Sequence, residues 1–332
     1  MVLEEFIREW ESDSPTVGVR TSGSTGKPKE MAVEKARMAA SAEVTCDFLG
    51  LRPGDKALLC LPVDYIAGKM MVVRSKVRGL ELKSVEPSSH PLAEVARDER
   101  FDLCAMVPMQ VYNSLLVADE AEKLKNIRHL IIGGGAIDAS LAEKLRSLPN
   151  DVWSTYGMTE TLSHIALRKL NGAQASDWYT PFDGVAVWLN ADGCLVIDAP
   201  KVCREVLATN DMAEVRTAAD GRVTQFRIKG RKDNVICSGG VKIQIEEAEQ
   251  LLAGSLSSPF LITKKKDEML GEKVVLLTED NDLGAVEQKC KSVMPKYWLP
   301  RLYIHIDAVP KTETGKPARA EAAKIAEEFK EP

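Results

Sequence analysis

Four short strand-type runs, at 57 to 62, 81 to 85, 102 to 107 and 128 to 133, alternate with segments whose apolar residues recur at helical spacing. The first, Ala57-Leu58-Leu59-Cys60-Leu61-Pro62, is apolar without alternation, as expected of a strand buried on both faces. Helices are expected at 69 to 78, 91 to 98, 109 to 118 and 139 to 147. This order predicts an α/β fold with a mostly parallel sheet wrapped by helices. In such sheets ligands sit beyond the carboxyl ends of the strands.

Ahead of this region, residues 1 to 11 read as an amphipathic helix with Leu3, Phe6, Ile7 and Trp10 on one side, 16 to 20 as a strand and 33 to 49 as a helix. Beyond 180 the texture changes to short β-type runs at 185 to 189, 194 to 197, 201 to 207 and 222 to 228, broken by Asp-Gly turns, which suggests a β-rich subdomain. Thr209-Asn210-Asp211 is expected between two of these strands. The polar stretch 229 to 234 around Gly230 is the expected domain boundary. After it comes an α+β module with strands at 234 to 237, 259 to 263, 273 to 278 and 303 to 306 and helices at 244 to 253, 284 to 294 and 318 to 330.

At 332 residues the chain is expected to divide into about two domains. Its net charge of −5 argues against nucleic-acid binding, which needs a basic face. No apolar run approaches the ~18 residues of a membrane span, and the acidic N-terminus does not resemble a signal peptide, so a cytoplasmic location is the expectation. The 7 cysteines are dispersed singly and the 4 histidines lack metal-ligand spacing, so a zinc site is not expected and the thiols should be reduced.

Four stretches carry chemistry. Thr21-Ser22-Gly23-Ser24-Thr25-Gly26-Lys27-Pro28-Lys29 concentrates glycines, hydroxyls and lysines as a polyphosphate-wrapping loop requires, although it lacks the Walker spacing. Gly133-Gly134-Gly135-Ala136 and Tyr156-Gly157-Met158-Thr159-Glu160 fall where strands should end. Taken singly, the first reads as a tight turn and the second as a buried tyrosine before a helix cap; together they outline a pocket with a stacking ring, phosphate donors and a carboxylate suited to Mg²⁺. Near the end, Val309 to Arg319 presents Lys316 on a glycine-containing loop between prolines.

These segments, with Leu61-Pro62 to Gly68, Thr209-x-Asp211, Gly230-Arg231-x-Asp233 and Ser238-Gly239-Gly240, run in the order of the adenylate-forming superfamily of acyl-CoA synthetases, peptide-synthetase adenylation domains and luciferases, which the chain resembles. The resemblance implies a large N-terminal AMP-binding domain over 1–230, a hinge at 231–233 centred on Asp233, and a small mobile α+β lid over 234–332. It implies a two-step reaction: a carboxylic acid and MgATP give an acyl-adenylate, and coenzyme A then displaces AMP. By the same resemblance the stretch Ser22 to Lys29, with Ser22, Gly23, Ser24, Thr25, Gly26 and Lys29 as its binding residues, holds the β- and γ-phosphates, Thr21 belongs to the same ATP-binding set, and Thr159 touches the α-phosphate. Glu160 holds magnesium. Tyr156 stacks on adenine beside Gly134, Gly135 and Ala136, with Gly157 and Met158 next to it, while Asp211 and Arg231 take the ribose. Lys316 bridges the acid and the α-phosphate, and Ser238, Gly239 and Gly240 meet the coenzyme A arm after the lid rotates.

The chain looks like a shortened form, with about twenty residues ahead of the phosphate loop where relatives carry an N-terminal subdomain. Glu30 stands where glycine is usual, and Tyr65 where many relatives carry histidine. Within the superfamily it is most similar to the short o-succinylbenzoate-CoA ligases of menaquinone biosynthesis, through Leu61 to Gly68 and Gly157 to His164. That acid keeps a second carboxylate, for which Lys69, Arg74, Lys76 and His164 are candidate partners, with Tyr65 in the same acyl pocket. Other aryl- or fatty acyl-CoA ligases, carrier-protein loaders and a non-catalytic nucleotide-binding protein remain alternatives at this point; oligomeric state is not read. Lys316→Ala should abolish ATP–pyrophosphate exchange while thioester formation from supplied acyl-adenylate persists, and equal loss of both would assign the lysine another role.

Overall fold

The computed structural model describes residues 1–20, 30–135, 137, 139–312 and 317–330. The chain opens with α1 (Leu3–Glu11), followed by an antiparallel pair, β1 (Thr16–Arg20) and β2 (Glu30–Glu34), and then α2 (Lys35–Phe48). The α/β region follows as β3 (Lys56–Leu59), α3 (Ile66–Arg78), β4 (Glu81–Ser84), β5 (Phe101–Met106), α4 (Pro108–Leu116), α5 (Ala118–Lys125), β6 (Ile127–Ile132), α6 (Ala139–Arg146) and β7 (Asp151–Gly157). With β8 (His164–Lys169) and β9 (Thr180–Pro181) these strands form a seven-stranded sheet in the order β4-β3-β5-β6-β7-β8-β9. It is parallel from β4 to β7 and antiparallel beyond.

Both faces of this sheet are buried, so consecutive residues of one strand enter different cores. Ala57, Leu59, Leu103, Ala105 and Ile131 join α1, α2 and α3 on one side. Leu58, Cys60, Cys104, Met106, Leu130 and Ile132 face Val111, Leu124, Leu141 and Leu145 on the other. The unalternating apolar runs are therefore a direct consequence of a sheet with two covered faces.

A four-stranded antiparallel sheet follows, made of β10 (Ala186–Leu189), β11 (Cys194–Asp198), β12 (Leu207–Thr217) and β13 (Val223–Arg231). A 3₁₀ turn at Lys232–Asn234 leads to β14 (Val235–Ser238), β15 (Val241–Gln244), α7 (Ile245–Leu252), β16 (Phe260–Asp267), β17 (Gly271–Thr278), α8 (Leu283–Val293), β18 (Leu302–His305) and α9 (Arg319–Glu328). The last sheet has the order β15-β14-β17-β16, with β18 parallel to β17. Val274 and Leu276 of β17 pack with Ala248 and Val286, while Val275 and Leu277 pack with Ala322 and Ala326 of α9. Among the described residues, no helix is long and apolar enough to cross a membrane.

Four local expectations are corrected. Residues 91 to 98 form turns, because the Lys123 ammonium takes the carbonyls of Leu92 and Ala93 that a helix would use. The helix expected from 33 starts at Lys35, since the preceding residues pair with β1. The helix expected over 109 to 118 is split at Val117, whose backbone is extended, and Glu120 accepts the Ser114 hydroxyl as α5 turns back. Residues 201 to 205 lie in turns, with the Val202 and Cys203 amides both donating to Ala199, so the strand begins at Leu207 and Thr209–Asp211 lies inside it.

Gly68 of α3 packs against the chain entering that helix, where an added Cβ would lie 2.2 Å from the Pro62 carbonyl oxygen. Alanine ordinarily stabilises a helix interior by about 1 kcal/mol over glycine. Here Gly68→Ala should instead lose about 2 kcal/mol or more in urea unfolding, because neither backbone segment can yield without repacking. A gain in stability would contradict this packing.

Candidate active site

β3, β5, β6 and β7 run parallel and release their loops at one edge. Ile132 is level with Ser154, and an added Cβ at Gly133 would lie 2.5 Å from the Thr155 hydroxyl oxygen, so the Gly133–Gly135 turn leaves β6 beside the residue before Tyr156. Gly134 has φ 78°, a left-handed conformation that glycine adopts without strain. At Gly157 an added Cβ would lie 2.3 Å from the Ser163 carbonyl oxygen, so the chain after β7 folds directly back on itself. Thr159–Thr161 forms a 3₁₀ turn held by the Met158 amide donating to the Thr161 hydroxyl oxygen. Leu162 follows with φ 64°, a strained conformation for a leucine and one found mainly where function demands it.

Tyr156 packs against the stacked pair of Tyr179 and Phe226, with ring centroids 5.7 and 5.0 Å away. Its hydroxyl donates to Asp211 Oδ2 at 2.7 Å. Burial, and then the neighbouring Asp211 carboxylate, push the phenol far above its usual pKa, so it remains a donor. Asp211 is oriented from behind: its amide donates to the Thr209 hydroxyl oxygen at 3.0 Å, and that hydroxyl donates to the Leu195 carbonyl. Across the β12–β13 pair, Arg231 Nη1 is 3.8 Å from Asp211 Oδ1, and Nη2 is 3.7 Å from Asp233. Asn210 also donates to Asp233, at 3.2 Å.

Of the nucleotide-binding candidates, Gly134, Gly135, Tyr156, Gly157, Met158 and Thr159 share this edge, and Asp211 joins them through Tyr156. Glu160 is exposed and makes no ion pair among the described residues. No group of three or more His, Cys, Asp or Glu gathers as metal ligands among the described residues. Thr21 to Lys29, Ala136 and Lys316 lie outside the described residues. Ser238 closes the β14–β15 hairpin against Val241, with Gly239 and Gly240 at its tip, where φ is 56° and 83°. The Gly239 amide donates to the Leu270 carbonyl at 2.9 Å.

The acyl-pocket candidates separate. Tyr65 is exposed ahead of α3, and Lys76 pairs with Glu11 at 2.7 Å. Lys69 turns to α1: its ammonium lies 4.4 Å from the Phe6 ring centroid and 3.9 Å from Glu9, and burial lowers its pKa. Arg74 and His164 instead form one hydrogen-bonded chain. Arg74 Nη2 donates to Ser163 Oγ at 2.7 Å, Ser163 Oγ is 3.3 Å from His164 Nδ1, and His164 Nε2 is 3.1 Å from Thr45 Oγ1. Thr45 gives its proton to the Ser41 carbonyl, so it accepts from Nε2–H. The tautomer follows: Nδ1 is bare and accepts from Ser163, which leaves Ser163 Oγ free to accept from Arg74.

This chain carries no negative charge. Arg74 is only 2% exposed, its Nε has no hydrogen-bond partner, and no carboxylate pairs with it among the described residues. Burial pushes its pKa down to about 10, which still leaves it charged at neutral pH. His164 is pushed well below its usual range, first by burial and then by Arg74. Thr45 is invisible to the sequence as a member of this group; a threonine in a helix gives no signal of a partner 119 positions away.

A family model described as AMP-binding enzyme matches residues 5–199. The 2-succinylbenzoate–CoA ligase of Bacillus mycoides (strain KBAB4) is 25% identical over 357 aligned residues, which take in 99% of this chain and 73% of that ligase. The crystal structure of the acyl-CoA synthetase (AMP-forming)/AMP-acid ligase II-like protein from Dyadobacter fermentans DSM 18053 is 34% identical with a TM-score of 0.65, covering 96% of this chain and 91% of that one. The o-succinylbenzoate coenzyme A synthetase (MenE) of Bacillus subtilis, solved with ATP and magnesium ion, shares the fold with a TM-score of 0.74 at 20% identity, over 92% of this chain and 69% of that one.

Because His164 is neutral when folded and has an ordinary pKa near 6.5 when unfolded, unfolding takes up a proton below that pH. Its contribution to stability is therefore lost as pH falls. The stability difference between wild type and His164→Asn should shrink between pH 7 and pH 5, approaching about 1.4 kcal/mol per pH unit in urea titrations. A constant difference would mean that the folded protein protonates His164.

Proposed function

The chain belongs to the AMP-binding enzyme family, and we propose that it is an AMP-forming acyl-CoA ligase whose acid is o-succinylbenzoate or a close dicarboxylic relative. In this reading the acid's carboxylate oxygen attacks the α-phosphorus of ATP and pyrophosphate leaves. The thiol of coenzyme A then attacks the acyl carbon and AMP leaves. The first step gives a carboxylate a good leaving group, which thioester formation at neutral pH requires.

Tyr156 and the Gly134–Gly135 turn offer the adenine a ring face and an open backbone, and Asp211 with Arg231 offers the ribose hydroxyls an acceptor and a donor. Asp211 arrives held by Tyr156 and Thr209, so little ordering is left for the moment of binding. Thr159 stands next to Glu160 on the turn after β7. Glu160, exposed and without an ion-pair partner among the described residues, fits a magnesium ion held by one carboxylate and phosphate oxygens, which would neutralise phosphate charge when bound. The loop at 21 to 29 and Lys316 belong to this proposal by resemblance. So does a lid from 234 onward, turning about residues 231–233 and presenting Ser238–Gly240 to coenzyme A. Its support is that the cores built by residues 6–226 share no member with those built by 236–326.

The uncompensated Arg74 guanidinium carries the choice of acid. An unpaired cation in the interior costs several kcal/mol unless an anion meets it. A substrate with a second carboxylate supplies that anion, whereas an aliphatic chain would leave the cost standing. ATP–pyrophosphate exchange should therefore be strong with o-succinylbenzoate and weak with palmitate or benzoate. Arg74→Met should lower kcat/KM for the dicarboxylic acid by roughly 30-fold, the equivalent of about 2 kcal/mol for a charged hydrogen bond. Strong exchange with palmitate or benzoate and none with o-succinylbenzoate would overturn the choice of acid; indifference to every acid would overturn the ligase.

A further inference from the structure

The hydrogen bonds that end at Arg74 run in one direction, and the direction is set at the far end, on α2. Thr45, Ser41, His164 and Arg74 are all buried. The Thr45 hydroxyl spends its proton on the Ser41 carbonyl, one helical turn back, at 3.0 Å. Toward His164 Nε2, 3.1 Å away, its oxygen can therefore only accept. A neutral imidazole has one N–H, and this contact fixes it on Nε2. Nδ1 is then an acceptor, and the Ser163 hydroxyl, at 3.3 Å, gives its proton there. The Ser163 oxygen is left with lone pairs alone to offer, and Arg74 Nη2 donates to it at 2.7 Å.

Reversing the tautomer would break this order at Ser163. With the proton on Nδ1, the ring and the guanidinium would both donate to the Ser163 oxygen, and the serine proton would need another acceptor. Among the described residues, Ser163 Oγ is the one oxygen hydrogen-bonded to the Arg74 guanidinium, whose other contact is Met71 Sδ, 4.0 Å from Nη1. The direction in which the cation points therefore depends on that oxygen. His164 pairs with Gly157 across β7 and β8, so the relay borders the nucleotide edge.

We propose that Thr45 is a specificity-determining positioning residue, which orients Arg74 toward the acid through His164 and Ser163. This rests on the reading that Arg74 receives the acid's second carboxylate. Thr45 touches no reactant. A charged donor selects between acids when its direction is fixed before the acid arrives, and hydrogen bonds among buried groups fix it.

The test has two readouts, and the first needs no acid. Nitrogen-15 chemical shifts of the His164 ring, assigned by their loss in His164→Asn, separate a protonated from a bare nitrogen. Wild type should carry its proton on Nε2, and Thr45→Val, which keeps the shape of threonine without the acceptor, should move it to Nδ1. The second readout is ATP–pyrophosphate exchange with o-succinylbenzoate. Thr45→Val should raise KM for the acid about tenfold with kcat and KM for ATP within about twofold, and Thr45→Ser, which restores the hydroxyl, should stay within about threefold of wild type. In an Arg74→Met background the valine substitution should add nothing, since the relay then has no guanidinium to orient. A further loss there, or a fall in kcat to match, would mark a merely structural threonine and overturn the proposal. So would an unchanged KM in Thr45→Val, or a wild-type proton on Nδ1, which is read whether or not the valine variant folds. Wild-type exchange that is absent with o-succinylbenzoate but strong with palmitate or benzoate would overturn the choice of acid, and the role of Thr45 with it.

Discussion

Burial of β3, β5 and β6 on both faces is the constraint from which the rest of the molecule follows. A strand with apolar side chains pointing both ways has to be covered twice, so α2 and α3 lie on one side and α4, α5 and α6 on the other. Covering a sheet in this way requires crossover connections, crossovers make the strands parallel, and parallel strands release their loops at a common edge. The glycine turn after β6 and the Tyr156–Glu160 segment at the end of β7 come out at neighbouring strand ends for that reason. Neither has to be brought there by any special interaction.

At the same edge the packing becomes selective about backbone shape. Gly157 leaves no room for a side chain, Leu162 adopts a conformation that costs energy, and between them the chain reverses within a few residues into β8. That reversal brings Ser163 and His164 under α3 and α2, where Arg74 and Thr45 meet them. The strain at Leu162 and the uncompensated charge of Arg74, which meets the neighbouring Ser163, are two costs borne at one place in the fold. Costs of this kind persist where the surrounding fold over-determines them.

The central strands were legible in the sequence because a short apolar run without alternation fits little besides a strand covered on both faces. So were most of the helices of the C-terminal part and the motif order that named the family. Elements whose signal was polar or short were not. β2 merges in sequence with the helix that follows it. α5 carries a single buried apolar residue, Leu124, its other buried side chains being Glu120 and Lys123 held by hydrogen bonds and an ion pair. At 91 to 98 the spacing of Leu92 and Val95 suggested a helix that a lysine from α5 prevents. The same blindness applied at the site: the sequence showed Lys69, Arg74 and Lys76 within eight positions on one helix, but not that the first faces α1, the second the interior and the third Glu11. Direction on a helix is settled by what lies across from it, and that information is nonlocal.

The interior guanidinium of Arg74 also has a thermodynamic side. A folded state that harbours an unneutralised cation stands to gain more from a bound anion than a surface site would, and by mass action that gain is shared between occupancy and folding. Resistance to unfolding and to proteolysis then becomes a readout of metabolite supply. On the proposed function, the pool of intact protein would rise when the acid is plentiful and thin out when it is scarce.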